Sequence, residues 1–265
     1  MIRSEYMEKP IVKIFAVTAV GLGAAVICGF GYYINNQKQH EQRIAYAESA
    51  ILDQKDTLAS LSQEADNLYS TKEKVFLKPE ATKDETSRLS SRLSSVKLSA
   101  DDHGIDQSEL PQEVAAIQTI KETVSNQLKD AEAKLNVQES VNQLFTEKIS
   151  NWQQAEDDVI IRENITEKDI ANIRDNLNFF KENAWKTSMI QYLGFADAQV
   201  AQVNELNQAF DTLLKDGQVT AEATYDQYLT ALNQIEQVQN EKIKEKYTAM
   251  AETVAQQMGY GTVSY

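Results

Sequence analysis

The stretch VAAIQTIKETVSNQLKDAEAKLNVQESVNQLF, Val114 to Phe145, sets the fold class. It holds neither glycine nor proline, and Val114, Ile117, Val124, Leu128, Ala131, Leu135 and Phe145 lay an apolar stripe along it at helical spacing. A stripe so narrow, flanked by Gln, Glu, Lys and Asn, is stable only when it is buried against other helices. Working outward, the pattern recurs on both sides. Before it, Ile44, Ala47, Ile51, Leu58, Leu61, Ala65 and Leu68 follow heptad positions on a helix expected from residue 35 to about residue 73, with Gln54 the one polar interruption. After it, Tyr228, Leu229, Leu232, Ile235, Val238, Ile243, Tyr247, Met250 and Val254 give the stripe of a helix that follows Thr220. Shorter helices are expected over 82–98, 166–185 and 188–215, and no segment alternates as a strand. The expected fold class is all-α.

Composition agrees. Between residues 35 and 258 the only glycines are Gly104, Gly194 and Gly217, and the only prolines Pro79 and Pro111. The 265 residues carry 40 acidic and 26 basic side chains, a net charge of −14, which argues against a nucleic-acid partner because such binding needs a basic face. One cysteine allows no internal disulfide, and two histidines argue against a histidine-rich metal centre.

Upstream, Ile14 to Ile34 reads IFAVTAVGLGAAVICGFGYYI, 21 residues without a charge. That is enough to span the hydrocarbon core of a bilayer as a helix, and Tyr32 and Tyr33 suit its headgroup edge. A cleaved signal peptide would have a shorter apolar core and a nearby small-x-small site, whereas Ala45-Tyr46-Ala47 lies too far downstream. The expected order is a short cytoplasmic tail (1–10), a transmembrane signal anchor (11–34, with 14–34 in the bilayer), an elongated extracytoplasmic helical bundle (35–258) and a flexible tail (259–265). The difference in flanking positive charge is slight, and the short N-terminus favours export of the chain beyond the anchor; the opposite topology stays open. Cysteine-free export suits a Gram-positive bacterium. Gly21, Ala25 and Gly29 recur every fourth residue, a spacing that lets two membrane helices approach and allows a homodimer.

Within the bundle, VFLKPEATKDETSRLSSRL (Val75 to Leu93) and VIIRENITEKDIANIRDNL (Val159 to Leu177) match at an offset of 84 residues. Both carry a helix-start signal, Thr82-x-x-Glu85 and Thr166-x-x-Asp169, the second with Ile165 and Ile170 placed as a hydrophobic staple. Lys78 matches Arg162. Two related three-helix units, 35–145 and 114–258, are therefore expected, sharing the long helix between them. Asp216-Gly217 should end a helix, with Thr220 capping the next.

The element LYSTKEKVFLKPEATKDE, from Leu68, and KDGQVTAEATYDQYLTALNQI, from Lys215, resemble the extracellular helical module of the MapZ family, the mid-cell-anchored division proteins of streptococci and enterococci. The resemblance covers residues 40–258 and implies a single-pass scaffold at the wall around the division site. Its partners would be proteins of the wall or division machinery, with peptidoglycan a further partner. Ring binding does not carry over, because Met1 to Pro10 hold no threonine and are far shorter than that family's cytoplasmic segment. Nor does a wall-binding residue, since the family's serine-rich linker and separate wall-binding domain have no counterpart before the closing GYGTVSY.

Candidate chemistry is sparse. Asp101, Asp102, His103 and Asp106 could form a weak cation site, but their spacing is not that of a calcium loop and a solvated acidic loop explains them. Glu156, Asp157 and Asp158 beside Trp152 could in principle cleave glycans, although a charge run at a helix end is the commoner origin. Trp152 and Trp185 read as packing residues, either of which could instead stack on carbohydrate. Lys242, Lys244 and Lys246 read as a solvated helix face. The expectation is a noncatalytic scaffold or adaptor without catalytic, cofactor-binding or metal-binding residues. The alternative is a receptor or subunit of a membrane transport or secretion complex.

Overall fold

The computed structural model describes residues 36–259 apart from Pro111. The expected tail 1–10, the anchor 11–34 with its stripe Gly21, Ala25 and Gly29, and the C-terminal tail beyond Gly259 lie outside the described residues. No described helix is long and apolar enough to cross a membrane. The described chain is all-α save for one short two-stranded hairpin and two isolated β-bridges.

Its helices are α1 (36–52), α2 (Lys55–Asp66), α3 (Lys83–Ser95), the short α4 (Ala100–His103), α5 (Gln112–Asn142), α6 (Glu167–Leu177), α7 (Ala184–Leu213), α8 (Tyr225–Glu236) and α9 (Glu241–Met258). A 3-10 turn, Gln107–Glu109, precedes α5, and strands β1 (Leu214–Lys215) and β2 (Gln218–Val219) separate α7 from α8. The stripes are the buried faces: Ala47, Ile51, Leu58, Leu61 and Ala65 on the first helices, Val114, Ile117, Val124, Leu128 and Ala131 on α5. Leu229 departs from its stripe and is exposed.

The chain divides into two compact units. One gathers residues up to Ser62 with Ser91–Ser125; the other gathers Gln63–Ser90 with the chain from Asn126 onward. In the first, Ala47, Ala100 and Ile105 form a small core and His40 Nε2 meets Glu109 Oε1 at 2.5 Å. In the second, one apolar cluster runs from Val137 to Val200 around Phe145, Trp185 and Tyr192, and another from Leu206 to Ala255 around Phe210, Tyr228 and Tyr247. Helix α7 contributes to both clusters, with α6 and α8 packed on it.

Helix ends differ from expectation in several places: α2 ends at Asp66 rather than near residue 73, and α6 ends at Leu177 rather than at residue 185. The long first helix is interrupted at residues 53–54, where Gln54 N–H donates to the Ile51 carbonyl (3.0 Å), so the polar interruption marks a break. The final helix is two helices: α8 stops at Gln237, and Asn240 caps α9 by accepting from Ile243 N–H. Thr220 does not cap α8; its hydroxyl donates to the Thr212 carbonyl in the last turn of α7 (2.5 Å). Its N–H closes the β1–β2 hairpin on the Leu213 carbonyl (3.0 Å), and the cap of α8 is Thr224.

With Thr224 as its cap, α8 belongs to a third copy of the repeated element. In the first copy Tyr69 bridges Leu77, Ser70 N–H donates to the Phe76 carbonyl (2.9 Å) and Lys78 N–H to the Leu68 carbonyl (2.8 Å). In the second, Phe145 bridges Ile161, Thr146 N–H donates to the Ile160 carbonyl (2.8 Å) and Arg162 N–H to the Leu144 carbonyl (2.9 Å). In the third, Leu214 pairs with Val219, Lys215 with Gln218, and the Asp216-Gly217 turn takes φ of 52° and 75°, as a type I′ hairpin requires. A threonine follows each hairpin at the same distance, Thr82, Thr166 and Thr224, and starts a helix. Equivalent positions then turn inward: Thr86, Ile170 and Tyr228; Leu89, Ile173 and Ala231; Leu93, Leu177 and Ile235. Helix α5 leaves the first copy and enters the second, as α7 does for the second and third.

Candidate binding site

The first two hairpins and α5 enclose a cleft of about 480 Å³ in the second unit. Its residues come from stretches far apart in the chain. Lys78 ends the first hairpin and Arg162 the second, so the matched basic position of two copies faces one cavity. Thr82 and Lys83 come from the start of α3, Gln138 and Glu139 from α5, and Lys148, Ile149 and Trp152 from the long second hairpin.

The second hairpin is long and is held by polar side chains rather than by a ladder. Ile149 N–H donates to Asn142 Oδ1 (2.8 Å), and Gln153 and Gln154 N–H donate to Asn151 Oδ1. Tyr192 Oη donates to the Asn151 carbonyl (2.8 Å), and its ring meets Trp152 edge to face at 5.8 Å. Trp152 is thereby fixed at the rim, half-buried, while Trp185 is fully buried against Phe180. Of the two tryptophans, only Trp152 can reach a ligand in this cleft.

The electrostatics run against the rest of the chain. Lys78, Lys83, Lys148 and Arg162 face a single acid, Glu139, which Lys83 already pairs. Arg162 commits its Nε to the Phe145 carbonyl (2.6 Å). Lys78 and Lys148 have no ion-pair partner among the described residues. Gln138 is only 6% exposed, and its Nε2 donates to nothing. A buried amide donor without an acceptor costs about 1–3 kcal/mol.

Of the repeated caps, Thr82 lines the cleft and accepts from Glu85 N–H (3.2 Å). Thr166 and Asp169 lie elsewhere and close a full capping box, Asp169 N–H to the Thr166 hydroxyl and Thr166 N–H to Asp169 Oδ2 (2.9 Å). The Thr166 hydroxyl and backbone hold the Asp169 carboxyl below the usual range. Ile170 is buried and Ile165 half-buried in the same apolar cluster, as a staple would place them. The other acidic stretches serve as local scaffolding. Asp102 and Ser99 cap α4, Asp106 and Glu109 close a box around the 3-10 turn, and Glu156 receives Asn151 Nδ2 at 3.3 Å. No cluster of three metal-ligating side chains exists among the described residues. Lys242 pairs with Glu163 (3.0 Å), and Lys246 lies over the Tyr247 ring.

The cleft escaped sequence reading because Gln138 and Lys148 have no motif of their own. The Lys78–Arg162 match was its one visible trace. Comparison of the chain with protein families, with curated proteins and with solved structures finds no match.

Proposed function

We propose that the chain is a noncatalytic adaptor, anchored in the membrane through residues 14–34, that presents its helical part to protein partners of extracytoplasmic wall or division machinery. The observation that carries the adaptor reading is the cationic, donor-rich cleft in a chain of net charge −14, assembled from two copies of a repeated hairpin. Such a surface recognises acceptors and charge; its Thr, Gln and paired Glu139 supply no activated nucleophile with an adjacent base. The anchoring rests on the 21 uncharged residues Ile14 to Ile34, and the division site on the resemblance of Leu68–Glu85 and Lys215–Ile235 to mid-cell-anchored proteins.

Live-cell imaging of a fluorescent fusion in the native host, beside a version lacking residues 35–265, tests the reading. A ring at the division plane that the deletion abolishes is the expected result. Uniform membrane signal from both forms would remove mid-cell targeting, and cross-linking to a transport or secretion complex would then favour the receptor alternative.

A further inference from the structure

We infer that the cleft between the first two hairpins binds an acidic peptide segment of a partner protein, one that carries an apolar side chain beside its carboxylates. This deepens the adaptor reading and rests on it for the presence of a partner. Chemical complementarity selects the ligand. Lys78, Lys148 and the free guanidinium nitrogens of Arg162 call for anionic oxygen. The one carboxylate of the cleft, Glu139, is already held by Lys83, so the unpaired charges that line it are all cationic. Leu135, Ile149 and the Trp152 ring also line the cleft, which gives an apolar side chain a place to bury. Carboxylates and an apolar anchor on one flexible strand are the chemistry of an acidic peptide. The remainder of the strongly acidic chain repels the same segment, so the cleft also sets where it docks.

The test uses the full chain in mild detergent and a fluorescein-labelled synthetic peptide alternating glutamate and leucine, read by anisotropy at low salt. Saturable binding that weakens as salt rises is expected. Lys78→Glu combined with Lys148→Glu, at two positions with no ion pair to lose, should weaken it by about tenfold or more. Lys78→Gln combined with Lys148→Gln separates binding from folding. It removes both charges without reversing them and breaks no ion pair, so the urea midpoint should hold while affinity falls severalfold. Unchanged affinity in both variants would overturn the proposal. So would displacement of the peptide by an acidic polysaccharide, oligogalacturonate, at lower concentration than by unlabelled peptide. Division-plane localisation with no peptide binding would leave the adaptor reading standing and this one refuted.

Discussion

Gln257 stands to the third hairpin as Gln199 stands to the second. Ile161 N–H donates to Gln199 Oε1 (3.1 Å), and Gln199 Nε2 donates to the Val159 carbonyl (2.7 Å). Val219 N–H donates to Gln257 Oε1 (2.8 Å), and Gln257 Nε2 donates to the Gly217 carbonyl (2.8 Å). Val159 and Ile161 occupy the hairpin positions of Gly217 and Val219, so one amide replaces the missing next strand of each hairpin. In the first hairpin a lysine does the comparable work: Lys134 Nζ donates to the Lys74 carbonyl (3.1 Å).

Removing the clamp should therefore cost stability in proportion to burial. Gln199→Ala strands the N–H of Ile161, whose residue is 3% exposed, and should lower unfolding free energy by about 1–2 kcal/mol. Gln257 is exposed, water can replace its bonds, and Gln257→Ala should cost less than about 1 kcal/mol. Urea denaturation followed by circular dichroism measures both. Equal costs would mean that the amide's bonds are not what sets the difference.

Lys134 gives a sharper contrast. Its ammonium is nearly buried between Asp130 (2.8 Å) and the Lys74 carbonyl, 5.2 Å from the Tyr69 ring centre and 5.8 Å from that of Trp185. Asp130 is half-exposed and keeps the Tyr69 hydroxyl as a donor (2.7 Å), so losing the cation leaves no buried, unpaired charge. Lys134→Met should then cost about 1 kcal/mol or less, because the apolar stem still fills the space between the rings. Lys134→Ala should cost about 2–4 kcal/mol through the cavity it opens. If Met proved as damaging as Ala, the charge and not the stem would be the stabilising part.

The repeated caps carry the next expectation. Thr82→Ala, Thr166→Ala and Thr224→Ala each remove a side-chain acceptor from a helix start and should each cost about 1 kcal/mol. The caps are far apart in the chain and share no partner, so a triple variant should show close to the sum. Serine at the same positions should restore most of the loss. A cap whose replacement by alanine is silent would show that its helix start is held by tertiary packing alone.

How far the sequence exposes this fold depends on the range of each interaction. Apolar stripes and threonine caps are local, and Ala47, Ile51, Val124, Leu128 and Thr166 could be read directly. The third copy was equally local, since Glu80-Ala81-Thr82-x-Asp84 recurs as Glu222-Ala223-Thr224-x-Asp226. Its shorter hairpin hid it, because the two-residue Asp216-Gly217 turn replaces the long loop of the second copy and looks like an ordinary helix end. The break between α8 and α9 contains neither glycine nor proline, and only Asn240 signals it. Its amide caps α9 through Ile243 N–H and donates from Nδ2 to the Ile161 carbonyl (2.7 Å), a contact across 79 residues. Such contacts, like the meeting of Lys78, Gln138, Lys148 and Arg162, depend on how helices cross, which no local pattern encodes.

Acid should unfold the chain by a route the carboxylates define. Asp66 is held below its ordinary value of 3.8 chiefly by Lys74, against burial, which raises it, and with further help from Gln127. Asp102 is lowered by Ser99, Asp169 by Thr166, and Glu109 by the Asp106 N–H and then by His40. All four shifts point the same way: the unfolded chain binds protons more readily than the folded one. Their stabilisation is complete above the ordinary values, 3.8 for Asp and 4.5 for Glu, and is lost as pH falls through the lower folded-state values. Urea midpoints taken at about pH 7, 5 and 3 should hold between the first two and drop at the third. Asp169→Asn keeps an acceptor for the cap but cannot titrate, so its drop should be smaller than that of the parent chain. A midpoint that stays level down to pH 3 would show that these caps and pairs do not form in solution.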